Sequence, residues 1–75
     1  MTWKLIETLC HSGDDLEAEI YQLTETKMYR VKIIEKKNQK RIIRNMKVFR
    51  EGKNLDFNAI KSIILNQILN AEKVD

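Results

Sequence analysis

At 75 residues, with 43% hydrophobic and 33% charged, the chain is sized for one globular domain; half of it would bury too little surface to offset chain entropy, and the composition is not that of a disordered chain. A single cysteine excludes an internal disulfide and fits a reducing compartment. No apolar run approaches the roughly 18 residues of a membrane span, and the segment from Thr2 to Glu7 lacks the apolar core and cleavage site of a signal peptide, so the expected location is cytoplasmic, with no membrane partner.

The first strand is expected over Thr2–Cys10. Strict alternation puts Trp3, Leu5 and Leu9 on one side and Ile6 and Cys10 on the other; apolar residues on both sides call for a second layer, and the strand's register stays open. His11–Ser12–Gly13–Asp14–Asp15 is the strongest turn cluster, because glycine tolerates positive φ and Ser and Asp side chains satisfy turn amides. A second strand begins near Leu16, and breaks at Thr24–Lys27 and Lys37–Lys40 mark off a third and a fourth.

A turn at Glu25–Thr26 places Ile20 opposite Val31, Glu19 opposite Lys32 and Ala18 opposite Ile33. A turn at Asn38–Gln39 places Glu35 opposite Ile42, Ile33 opposite Arg44, Val31 opposite Met46 and Tyr29 opposite Val48. With uninterrupted alternation, one face carries Leu16, Ala18, Ile20, Tyr29, Val31, Ile33, Ile42, Met46 and Val48, the expected core. The other face is mixed, carrying Glu17, Glu19, Tyr21, Leu23, Met28, Arg30, Lys32, Ile34, Ile43, Asn45, Lys47 and Phe49.

After Gly52 the apolar period becomes helical through Phe57, Ile60, Ile63, Ile64, Ile68 and Ala71, with Asn54 or Asp56 as N-cap. Leu65 and Leu69 widen the stripe, through broad core burial or an interface. The expected fold is α+β: a four-stranded antiparallel β-meander with one C-terminal α-helix packed on one face.

The net charge of +3 hides a segregation: residues 1–26 carry −5, residues 27–53 carry +9 and the remainder −1. The basic third-to-fourth-strand hairpin suits an anion, foremost the phosphates of single-stranded nucleic acid or RNA, since Lys and Arg ladders release condensed counterions on binding. Lys36, Lys37, Lys40 and Arg41 form its tip, Arg30, Lys32, Lys47 and Arg50 extend it, and Tyr21 and Phe49 offer stacking platforms for unpaired bases. The plainer reading is a solvated hairpin whose charges blunt a sheet edge and pair with Glu17 and Glu19. The rival function is a protein-interaction module, such as a phage or mobile-element inhibitor or a small regulator, that docks the hairpin on an acidic protein surface. A structural subunit that buries its outer face in an assembly is a third.

Cys10 and His11 are strand neighbours whose side chains point to opposite faces, which argues against a nucleophile–base pair. A metal site would have to borrow Asp14 and Asp15, without the ligand spacing of a calcium loop or the usual ligands of structural zinc. There is no phosphate-binding glycine loop, nucleophile elbow or His-Glu-x-x-His. The chain is expected to be no enzyme and to carry no cofactor or metal.

Four strands followed by Gly52, Leu55 and an Ile-rich helix resemble, in layout from about Leu16 to Leu69, the PC4-like single-strand-binding domains; the strand sequences do not match that family's motifs. The resemblance implies binding of single strands and a homodimer paired through the helices. The wide helix stripe and the apolar first strand point to the same self-association.

Overall fold

The computed structural model describes residues 1–11 and 15–72. Strands β1 (Trp3–Cys10), β2 (Leu16–Leu23), β3 (Met28–Lys37) and β4 (Lys40–Arg50) form one antiparallel sheet in the order β1-β2-β3-β4. A 15-residue helix follows, made of α1 (Phe57–Ile63), a π-helical turn (Ile64–Ile68) and α2 (Leu69–Ala71). This is the expected meander closed by a C-terminal helix. The expected turn residues Ser12, Gly13 and Asp14 lie outside the described residues.

The turns follow local chemistry. Asn38 and Gln39 have φ of 52° and 63°, the two left-handed positions of a type I′ turn, and Lys37 pairs with Lys40 across it. Glu25 takes φ 64° in the loop between β2 and β3, where the Thr26 backbone N–H and hydroxyl both donate to the Leu23 carbonyl, at 3.1 and 2.7 Å. The β2–β3 register is the expected one: Ala18 pairs with Ile33, Glu19 with Lys32 and Ile20 with Val31.

Two β-bulges correct the expected faces. The β3–β4 ladder starts as expected, with Glu35 opposite Ile42, then shifts by one residue between Ile33 and Ile34, so that Ile33 faces Asn45, Val31 faces Lys47 and Tyr29 faces Phe49. Arg44 is the extra residue. Beyond it Asn45, Lys47 and Phe49 belong to the helix side, and Met46 and Val48, expected in the core, turn outward with 48% and 57% of their surface exposed. The physical reason is visible in the row that uninterrupted pairing would bury, Ile42–Arg44–Met46–Val48. It places a guanidinium in the core, whereas one inserted residue frees Arg44 and exchanges Val48 for the larger Phe49. Ile42, at the sheet's end, is 45% exposed.

In β1 the shift falls between Leu5 and Glu7. Trp3, opposite Leu23, and Leu5, opposite Tyr21, therefore share the outer face, while Leu9, opposite Ala18, packs against the core. The expected grouping of Trp3, Leu5 and Leu9 is thus split.

Asp56 caps the helix, its Oδ1 accepting from the Ala59 N–H at 2.8 Å, after a tight turn in which Gly52 and Leu55 exchange backbone hydrogen bonds. Ile60, Ile64 and Leu69 are wholly buried and pack on Leu16, Ala18, Ile20, Tyr29, Val31 and Ile33. The five-residue step from Ile64 to Leu69 is the π turn, which adds a residue to the winding. It brings Leu69 into the core in place of the expected Ala71, which is exposed, and leaves Leu65 38% exposed.

Polar clasps close both margins of the helix. Lys61 bridges to Glu7 at 3.2 Å. Near the helix end, Glu72 accepts from Asn45 at 3.2 Å and lies 3.7 Å from Arg44, which also donates to Glu35 at 3.0 Å. The bulged arginine thus ties β3 to the helix end.

Candidate nucleic-acid interface

A single helix covers one side of the sheet, so the other side is the binding candidate. Pairing register sorts its residues into rows running from β1 to β4: Trp3, Leu23, Met28 and Arg50; then Leu5, Tyr21, Arg30 and Val48; then Thr8, Glu19, Lys32 and Met46; then Cys10, Glu17, Ile34 and Ile43; and finally Lys36 and Arg41 at the hairpin end. Four of the expected contact residues, Arg30, Lys32, Arg50 and Tyr21, fall in the first three rows, and Lys36 and Arg41 in the last.

The two ends of this face differ in chemistry. At the hairpin end Glu17 is only 6% exposed and is held by Lys36 at 3.1 Å and Arg41 at 2.9 Å; Arg41 also reaches Glu19 at 2.7 Å. This network lies beside Ile34, which is buried on the outer face. Lys36 and Arg41 are therefore largely neutralised within the sheet, as the plainer reading of the hairpin expects. Lys37 and Lys40 at the turn are exposed and pair with no carboxylate among the described residues.

At the opposite end the cations sit on aromatic rings. The Arg30 guanidinium carbon lies 4.3 Å from the centre of the Trp3 ring, and the Lys32 ammonium 4.8 Å from that of Tyr21. Such stacking holds long side chains against the sheet while leaving their charge unneutralised. The Tyr21 hydroxyl donates to Glu19 at 2.9 Å; that hydrogen bond, with burial second, raises its pKa. Arg50 is exposed and its Nη2 contacts the Met28 sulfur at 3.5 Å. Arg30, Lys32 and Arg50 have no carboxylate partner among the described residues.

Two expected contacts stand elsewhere. Phe49 is on the helix side, packed against the core, and Lys47 is on that side too, so neither shares a surface with Arg30 or Tyr21. Sequence reasoning missed Trp3 as the aromatic partner of Arg30. Strict alternation groups Trp3 with Leu5, Glu7 and Leu9, whereas the one-residue shift before Glu7 keeps Glu7 and Leu9 on the helix side and turns Trp3 and Leu5 outward, a change that no residue type in the strand marks.

The remaining candidates are peripheral. Cys10 is exposed, and the His11 ring nitrogen Nε2 lies 2.8 Å from Asn70 Oδ1, linking the end of β1 to the helix. Among the described residues no group of three or more His, Cys, Asp or Glu side chains is placed to hold a metal ion, and no helix is long and apolar enough to cross a membrane. No family model, curated protein or solved structure matches this chain.

Proposed function

We propose that this chain is a small binding protein that holds single-stranded nucleic acid on the open face of its sheet, at the end away from the basic turn. The reading rests on one observation above all: Arg30 and Lys32, unpaired with any carboxylate among the described residues, lie on the rings of Trp3 and Tyr21 on a face the helix leaves uncovered. Unpaired bases need flat apolar surface and phosphates need charge within one nucleotide's reach, and this face offers both.

In this reading Arg30, Lys32 and Arg50 contact phosphates, Trp3 and Tyr21 present surface to bases, and Lys37 and Lys40 add long-range attraction. Lys36 and Arg41 remain structural, as partners of Glu17. Binding is through charge and stacking, so its sequence preference is weak.

The test compares binding of a random single strand by the wild type, an Arg30→Gln/Lys32→Gln/Arg50→Gln variant and a Lys37→Gln/Lys40→Gln variant. The face variant should lose binding and the turn variant should be weakened only modestly. A larger loss in the turn variant would return the site to the hairpin tip, and equal losses would contradict a site confined to the face; wild-type protein that ignores single strands at low salt but retains a protein from its host would make this an interaction module.

A further inference from the structure

We infer that the free edge of β4 is a docking site for an acidic, extended peptide segment, which would add as a fifth strand. This edge adjoins the face proposed for nucleic acid and shares Met46, Val48 and Arg50 with it, but the inference does not depend on that reading.

β4 ends the sheet and pairs only with β3, so its far side has no partner strand; the Met46 N–H there donates to Asn45 Oδ1 at 2.8 Å, a local contact that an added strand would have to displace. Its side chains are also unsatisfied on both faces. Ile42, Ile43, Met46 and Val48 are 45%, 55%, 48% and 57% exposed, four large apolar residues on one strand. A neighbouring strand's alternate side chains would cover them from either face, as in recognition by β-strand addition.

Charge selects the occupant. β4 carries Lys40, Arg41, Arg44, Lys47 and Arg50 and no acidic residue. A second copy laid antiparallel along it would set cation against cation, the device by which edge strands resist self-pairing. An acidic strand meets the opposite sign along its length. Arg41 and Arg44 already have carboxylate partners within the chain, but Lys40 and Lys47 have none among the described residues. The bulge at Arg44 leaves Asn45–Arg50 as the longer regular stretch for pairing. The other edge, β1, offers no such selection, since its Lys4 is balanced by Glu7, itself held by Lys61.

The experiment adds a synthetic peptide of alternating Glu and Val to the full chain and follows backbone amide exchange and molecular mass. The expected result is a one-to-one complex in which amides between Met46 and Arg50 gain protection. A Lys–Val peptide should do nothing, and Lys40→Glu/Lys47→Glu should weaken binding about tenfold, the equivalent of two modest surface ion pairs. Absence of binding, or protection confined to other strands, would overturn the inference. So would β4 protection that grows with protein concentration alone and accompanies a doubled mass, which would make the occupant a second copy.

Discussion

Tyr29 joins three parts of the fold. Its ring lies 5.0 Å from that of Phe57, its backbone pairs opposite Phe49, and its hydroxyl donates to Glu51 at 2.7 Å. Burial, reinforced by that carboxylate, pushes its pKa up from 10.0 to about 12. A folded-state value above the unfolded one means the stabilisation is complete below the unfolded pKa, near 10, and is lost as pH rises through about 12. Chemical denaturation from neutral to strongly alkaline pH should show this decline in wild type and a shallower one in Tyr29→Phe. At neutral pH that variant should lose about 1–2 kcal/mol with its hydrogen bond to a carboxylate. Gln39 offers the opposite case, since its φ of 63° is costly for a side-chain-bearing residue. Gln39→Gly should stabilise the protein by about 0.5–1 kcal/mol in a thermal melt, by making the favoured Asn-Gly pair of a type I′ turn.

At the scale of the element, the second and third strands were legible from turn chemistry and alternation because nothing interrupts their ladder. The first and fourth were legible in extent but not in facing, because a one-residue insertion exchanges inside for outside and leaves only indirect marks. Arg44 in an otherwise apolar row was such a mark; β1 carries no equivalent, since Glu7 stays on the helix side with Leu9. The register makes a sharp prediction. Met46→Lys and Val48→Lys should change stability by no more than about 0.5 kcal/mol, while Phe49→Ala should cost about 1.5–3 kcal/mol; the reverse pattern in denaturant titrations would restore the uninterrupted ladder. The helix behaves likewise. Its start, with Asn54 or Asp56 as cap, and its Ile60–Ile64 spacing were readable, but the π turn that buries Leu69 was not, since a local widening has no periodic signature. Leu69→Ala should cost about 2–5 kcal/mol and Leu65→Ala well under half of that.

For the molecule as a whole, charge segregation drew attention to the β3–β4 hairpin, yet counting charges could not say which were already neutralised. Glu17 and Glu19, from the acidic first third of the chain, lie directly across the sheet from that hairpin and hold Lys36 and Arg41. Arg30 and Lys32 were legible as outward-facing, on the same face as Tyr21; the seating of Arg30 on Trp3 was not, because Trp3's face depends on the bulge in β1. The chain's one tryptophan thus stands on the proposed binding face and reports on it directly. The decisive measurement is Trp3 fluorescence during titration with a short random single strand, at salt concentrations from about 50 to about 200 mM. With three phosphates neutralised, the slope of log affinity against log salt should be roughly −2, a loss of about twentyfold over that range; the emission should be quenched on binding, and the Arg30→Gln/Lys32→Gln/Arg50→Gln variant should show neither effect. Unchanged wild-type emission and no complex at the lowest salt would contradict the proposal that this open face holds nucleic acid.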